Sequence, residues 1–307
     1  MIELNSLSKS FGSGRGVNNL TFTVPEGSIM GFVGHNGAGK TTTFKILTGL
    51  MDPDSGSATI DGIPVKPRNL KKLKQSVGYM PDIFGVYDRM TVWQYLDFFG
   101  AAYRIPRKLR KERILNALEL TRSEDMVDYQ VASLSRGMRQ RVGLAKTILP
   151  DPKVLILDEP AGGLDPQARI EMREVVCELK NLGKTIILSS HILPDLGNMC
   201  DLVGIINKGN MEAFGKLEEI TESLTDKKTY VIEVHGEDLG RAKETLVNMG
   251  SINEVQIREQ QISFSCKKEE DLGARVLAYL IENNIRVNSF KLQELELEEM
   301  FMQLAAK

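Results

Sequence analysis

Four short stretches of the chain hold residues that could do chemistry together. Gly34-His35-Asn36-Gly37-Ala38-Gly39-Lys40-Thr41 fits the pattern GxxxxGK[ST], and Thr42 extends it. The apolar run Ser28–Val33 precedes it and the helical pattern Lys40–Leu50 follows it, which is the context the pattern requires. Glycines there let successive backbone N–H groups face inward as an anion-binding nest, and a helix N-terminus adds positive potential. Lys40 can then reach the outer groups of a polyphosphate, and the Thr41 hydroxyl can meet Mg²⁺. The apolar run Val154–Leu157 ends in Asp158-Glu159. Carboxylates at the end of a buried strand need a reason, because unpaired buried charge is costly. Asp158 suits Mg²⁺ held through water, and Glu159, one residue on, suits the polarising of an attacking water. His191 closes a third apolar run, Ile186–Leu188 with two serines. In a parallel sheet the strand C-termini share the ligand edge, so His191 is expected to sense a terminal phosphate. Last, Leu134–Arg141 (LSRGMRQR) opens a helix. Ser135 can cap that helix and donate to a phosphate, and Gly137 allows close backbone approach.

These groups need a scaffold, and the patterns around them predict one. Leu20–Val24 alternates like a half-buried strand, and Asp61-Gly62 marks a hairpin between Ala58–Ile60 and Ile63–Val65. Residues 90–150 read as mainly helical, with Val92–Tyr103, the basic amphipathic Arg107–Leu120, and Arg136–Leu149 ending at Pro150. Strands return at Val154–Leu157 and Thr185–Leu188, with a helix opened by Asp165-Pro166 and closed by Gly183 between them. Lys208-Gly209 joins a hairpin of Val203–Asn207 and Asn210–Phe214. Strand, helix, strand with buried strands argues for an α/β core. From about 228 the order becomes strand Thr229–Val234, helix Asp238–Met249, strands Ile252–Ile257 and Gln261–Ser265, helix Glu270–Glu282 and strand Arg286–Leu292. That βαββαβ order is that of a ferredoxin-like α+β unit. An amphipathic helix over Glu294–Leu304 is expected to end the chain.

Composition narrows the class. With 42% hydrophobic and 26% charged residues, wholesale disorder and collagen-like repeats are excluded. No apolar stretch approaches the roughly 18 residues a transmembrane helix needs, and the N-terminus MIELNSLSKS lacks a secretory pattern. Cys177, Cys200 and Cys266 lie far apart, which argues against a disulfide framework or zinc ribbon and for a reducing cytosol. Residues 1–220 carry 28 basic and 25 acidic groups, whereas 221–307 carry 11 and 16, so the charge shifts from +3 to −5 at a boundary expected near 220. Two basic clusters, Lys66 to Lys74 and Arg104 to Arg113, read as solvated helix faces ahead of lipid or nucleic-acid contacts. Phe84, Tyr87, Trp93, Tyr95, Phe98, Phe99 and Tyr103 crowd one segment, either as a docking groove or as the core of a helical subdomain.

Taken together, residues 1–220 resemble the nucleotide-binding subunit of an ATP-binding cassette (ABC) transporter. Gly34–Thr41 resembles the family's Walker A motif, and Val154–Glu159 its Walker B motif with the catalytic glutamate. Leu134–Met138 resembles the signature, Gly162–Asp165 the D-loop, and His191 the switch histidine, while Phe11 stands where the family stacks an aromatic on adenine. Two departures stand out. The signature reads LSRGM instead of LSGGQ, with Arg136 and Met138 flanking Gly137, and the Q-loop position holds Asp82 instead of glutamine. Both departures, and the ending Leu295–Phe301, resemble an exporter branch (ABC-2-like) whose ATPase is a separate chain with a C-terminal extension.

The resemblance implies a P-loop NTPase cassette with a mixed sheet core, an antiparallel β subdomain and a helical subdomain, plus the accessory domain 221–307. ATP and Mg²⁺ are the implied cofactors. Lys40, Glu159 and His191 are the implied catalytic groups, Thr41 and Asp158 the metal ligands, and Asp82 a further candidate ligand. Paired cassettes, as homodimer or heterodimer, would present Ser135–Met138 of one to the ATP of the other. An integral membrane permease is the expected partner, with the subunit peripheral at the cytoplasmic face and no nucleic acid expected. A soluble cassette ATPase acting on DNA or ribosomes is the alternative. The chain has one set of motifs, and about 90 residues without sustained heptads lie between Walker A and the signature, neither of which suits that alternative.

Overall fold

A computed structural model describes residues 1–12, 14–83, 85, 89–191, 199–224, 227–250, 252–258, 261–267 and 272–293. The chain divides into two compact units, Met1–Leu217 and Glu218–Lys307.

The first unit begins with the antiparallel strands β1 (Ile2–Ser10) and β2 (Gly16–Val24), followed by β3 (Ile29–Val33), buried at all five positions. A glycine-rich turn leads into α1 (Lys40–Leu47). The helix stops there and not at Leu50, because the Leu50 N–H turns back to the Lys45 carbonyl at 2.8 Å. The hairpin β4 (Ser55–Ile60) and β5 (Ile63–Pro64) completes a four-stranded antiparallel sheet, β2-β1-β4-β5. Next come α2 (Leu70–Ser76) and β6 (Val77–Met80).

Three helices form the helical part: α3 (Val92–Ala102), α4 (Arg107–Leu120) and α5 (Arg136–Ile148). Thr91 and Gln94 start α3 with a reciprocal capping box. Helix α4 buries one stripe, Ile114, Ala117 and Leu118, and ties to α3 through Arg110 and Asp97 at 3.1 Å. The chain then returns to the sheet with β7 (Val154–Leu157), α6 (Pro166–Asn181), β8 (Thr185–Ser190), β9 (Leu202–Asn207) and β10 (Asn210–Gly215).

The second sheet has the order β10-β9-β3-β8-β7-β6, parallel throughout except for the β9–β10 hairpin. Its register aligns Met80 with Leu157 and Leu157 with Leu188. The residues that follow these strands therefore emerge at one edge. A single apolar cluster joins Leu4, Phe22 and Ile60 of the antiparallel sheet to Phe32, Phe44, Ile156 and Ile187. Burial of this kind contributes about 25 cal/mol per Å² of apolar surface removed from water. The mixed sheet, antiparallel sheet and helical part are the α/β architecture expected.

Helix α7 (Leu217–Leu224) has no counterpart among the sequence expectations, although Leu217, Ile220 and Leu224 share helical spacing. The unit that follows contains β11 (Lys227–Val234), α8 (Leu239–Val247), β12 (Ile252–Arg258), β13 (Gln261–Lys267), α9 (Leu272–Glu282) and β14 (Val287–Gln293). Its antiparallel sheet runs β12-β13-β11-β14, the order of a ferredoxin-like unit. Ile232, Leu246, Phe264, Val276 and Leu280 fill its core. The expected helix Glu294–Leu304 and the ending Leu295–Phe301 lie outside the described residues.

Candidate nucleotide site at the sheet edge

The glycine-rich loop before α1 owes its shape to the residue that closes it. Gly39 caps α1 with φ +117°, and a Cβ there would stand 2.7 Å from Val17 Cγ1. Any side chain would meet both obstacles. Lys40, only 6% accessible, donates to the Gly34 carbonyl and lies 3.4 Å from Glu159 Oε1. Ala38 packs inward, buried.

Around Lys40 the strand ends are wired together. The Thr41 hydroxyl donates to Asp158 Oδ2 at 2.9 Å. Ser189 Oγ donates to Asp158 Oδ1 at 2.7 Å and accepts from the Glu159 N–H at 2.8 Å. Glu159 Oε2 meets His191 Nδ1 at 2.8 Å. The line Thr41–Asp158–Ser189–Glu159–His191 thus crosses from α1 through β7 to β8. The Asp158 N–H donates to the Met80 carbonyl at 2.8 Å, which anchors β7 against β6 just before Asp82. Burial raises the Asp158 carboxyl above its ordinary range. The hydroxyls of Ser189 and Thr41 oppose that rise, and the charges of Glu159 and Asp82 add to it. Tyr79 is raised as well, by burial and then by Asp158 and Asp82.

Glu159 adopts φ +50°, uncommon for a residue with a side chain, and its Oε1 is buried with no hydrogen bond among the described residues, Lys40 Nζ standing 3.4 Å away. Such strain is found at working sites, where the surrounding structure holds it in place.

A cleft of about 160 Å³ opens at this edge, lined by His35–Gly37, Gly39–Thr42, Asp82, Asp158 and Glu159. Among the described residues, no group of three His, Cys, Asp or Glu side chains is close enough to hold a metal by itself. The oxygens of Thr41 and Asp158 nevertheless suit Mg²⁺, which keeps several waters and relies on one or two carboxylates plus phosphate oxygens.

Ser135–Met138 and Asp165 do not line the cleft. They form a second group. Ser135 Oγ accepts from the Met138 N–H at 3.3 Å, and Asp165 Oδ1 accepts from the Ala168 N–H at 2.9 Å, so each caps its helix. The Arg136 guanidinium covers Gly163, where a Cβ would come within 2.6 Å of Arg136 Cζ. Phe11 is 52% exposed and also stands outside the cleft lining.

In the aromatic segment, Tyr95 is fully buried and touches Phe99 edge-on at 4.9 Å, whereas Phe98 and Tyr103 remain 42% and 40% exposed. Phe84 and Tyr87 lie outside the described residues. Of the basic clusters, Arg110 pairs with Asp97 and Arg113 with Asp151.

Sequence reasoning assigned no role to Ser189. A hydroxyl closing an apolar run was the signal; the structure buries it completely, and its two partners depend on strand pairing. The Arg136–Gly163 contact was equally hidden, because it joins two motifs through the fold.

The family model described as ABC transporter matches residues 17–162, and one described as ATP-binding protein DrrA1-3-like, C-terminal domain, matches residues 215–305. The chain is 36% identical to the Nod factor export ATP-binding protein I of Burkholderia lata, over 83% of each chain. The chain belongs to the ABC transporter ATP-binding family. Its resemblance to the linearmycin resistance ATP-binding protein LnrL of Bacillus subtilis, 29% identical, spans 100% of this chain and 99% of that one. A solved ATP binding subunit of an ABC transporter superposes with TM-score 0.66 at 31% identity, covering 73% of this chain and 92% of the other. This ABC protein is therefore an ATP-binding and ATP-hydrolysing transporter subunit with a P-loop cassette fold. Among its described residues, no helix is long and apolar enough to cross a membrane.

Proposed function

We propose that the cleft performs the ATPase reaction and that the subunit drives export through a separate integral membrane permease. The observation that carries the site assignment is the hydrogen-bonded line from Thr41 to His191. Gly34–Gly39 and Lys40 cradle the phosphates, with Thr42 at the same turn. Thr41 and Asp158 hold Mg²⁺, with Asp82 as a further oxygen at the mouth. When bound, the ion offsets phosphate charge. Lys40 leaves the Gly34 carbonyl to meet the β- and γ-phosphates. Glu159 accepts a hydrogen bond from the attacking water and so orients it in line with the γ-phosphorus. As an imidazolium, with a proton on each ring nitrogen, His191 donates Nδ1–H to the Glu159 carboxylate and Nε2–H to the γ-phosphate. Positioning and preorganised charge supply the rate.

In this reading two cassettes pair, as homodimer or heterodimer, and Ser135–Met138 of one meets the γ-phosphate in the other. That arrangement accounts for signature residues outside their own cleft. The D-loop Asp165 fixes α6 beside the signature, and Phe11, exposed and not core-packed, stacks on adenine. The exposed Phe98 and Tyr103 suit a docking surface for the permease. Residues 1–220 act as the motor and 221–307 as an accessory domain, peripheral at the cytoplasmic face. Export is supported by the names of the relatives in B. lata and B. subtilis.

Glu159→Gln tests the site. It keeps the geometry and removes the basic carboxylate, so ATP binding persists while turnover falls about 10²–10⁴-fold. Unchanged turnover would overturn the assignment.

A further inference from the structure

The cleft that receives a polyphosphate is acidic. Its described lining holds three carboxylates, Asp82, Asp158 and Glu159, against one lysine, Lys40. Lys40 already lies 3.4 Å from Glu159, and Asp158 is served by the hydroxyls of Thr41 and Ser189. Asp82 is different. It follows β6 at the open mouth of the cleft and is solvent-exposed. The family resemblance puts a neutral glutamine at this position, so this chain has one negative charge more where the phosphates enter. The loop amides and the N-terminus of α1 supply only partial positive charge, and Lys40 is the one full cation among the described lining residues. Proximity is supported by the effect of the Asp82 charge on both Asp158 and Tyr79.

We propose that Asp82 makes metal loading a condition of nucleotide binding: its carboxylate repels the bare polyphosphate and admits it as the metal complex. This deepens the reading of the cleft as an ATP site and rests on it. A bare triphosphate carries about four negative charges and meets Asp82 with no counter-ion between them. With Mg²⁺ on the phosphates, the same carboxylate faces a cation or its water shell, and repulsion becomes attraction. The residue therefore sets a preference between two forms of one ligand, and does so through charge and not shape.

The test is binding, not turnover. Full-length protein is titrated with adenylyl imidodiphosphate by calorimetry, once with Mg²⁺ and once with EDTA. The readout is the ratio of metal-free to metal-bound Kd for the wild type and for Asp82→Asn, Asp82→Gln and Asp82→Glu. In the Asn and Gln variants the ratio should fall about tenfold or more, because metal-free binding tightens. Asp82→Glu keeps the charge and should keep the wild-type ratio. An unchanged ratio in Asp82→Asn and Asp82→Gln would overturn the proposal. A fall caused only by weaker metal-bound affinity would overturn it too, since that marks a plain metal ligand. Lys40→Ala separates the site assignment from the role of Asp82. It should abolish binding in both conditions, and if it does not, the cleft is not the nucleotide site. If it does while the Asp82 ratio stays fixed, the cleft binds nucleotide but Asp82 does not set the metal preference.

Discussion

Asp158 in the cassette and Asp238 in the small C-terminal unit are both nearly inaccessible, at 2% and 3%, but they are partnered differently. Asp238 accepts from Arg286 Nε at 2.8 Å, from the Arg286 backbone at 3.1 Å and from Arg241 at 3.4 Å. These contacts tie the start of α8 to the edge of β14, and Arg286 holds the carboxyl below its ordinary range. Among the described residues Asp158 has hydroxyl donors but no basic side chain bonded to it, and burial pushes its carboxyl the other way. A carboxylate that owns its cation is complete and serves the fold. One buried at a cleft with no cation bonded to it among the described residues invites one from outside. The same residue type, almost equally inaccessible in both units, thus marks structure in one and the proposed site in the other.

The comparison can be broken at either end. The largest expected effect is that of Glu159→Gln, a loss of about 10²–10⁴-fold in ATP turnover, measured by phosphate release, with thermal stability unchanged. Leu280→Ala in α9 should do the converse. It empties part of a fully buried position and should destabilise the small unit by about 2–5 kcal/mol, read by calorimetry, while cassette turnover holds. If turnover falls with it, the small unit takes part in catalysis and the division of labour fails.

Ser189→Ala sharpens the cassette side. It takes a donor from Asp158 and the acceptor from the Glu159 N–H, so a loss of about 1–3 kcal/mol is expected, seen as a tenfold to hundredfold drop in turnover. Wild-type kinetics would show the serine to be only a packing residue.

The smallest effect concerns pH. The lowered carboxyl of Asp238 stabilises the fold fully above the ordinary carboxylate value of about 3.9, and that stability is lost as pH falls through the lower folded value. The calorimetric transition of the small unit should therefore move down as pH drops below about 4. Asp238→Asn should flatten that dependence, and an identical slope in both proteins would refute the clamp.

Much of the site was legible because its chemistry is local. Spacing alone put Lys40 and Thr41 after the glycine turn and put Asp158 and Glu159 after an apolar run. The small unit was legible too, since alternating and helical periods follow in βαββαβ order. What stayed hidden depends on neighbours distant in the chain. Helix α7 is a single short amphipathic stretch next to a hairpin. The left-handed backbone of Glu159 leaves no mark in composition. Arg136 over Gly163 joins two motifs that only the packing of α5 beside the D-loop brings together.

The sequence by itself determined which groups the protein carries and in what order: a glycine-rich turn before a lysine, two strand-end acids, a histidine, and an aspartate where the family resemblance implies a glutamine. Residue chemistry and short periodicities are properties of neighbours in the chain, so they can be read from it. Only the tertiary structure decided how they connect. Thr41 meets Asp158 across 117 positions, and Ser189 joins Asp158 to Glu159 across 31 and 30. The parallel register of β6, β7 and β8 sets those contacts, and register arises from the burial of whole strand faces, not from any one residue.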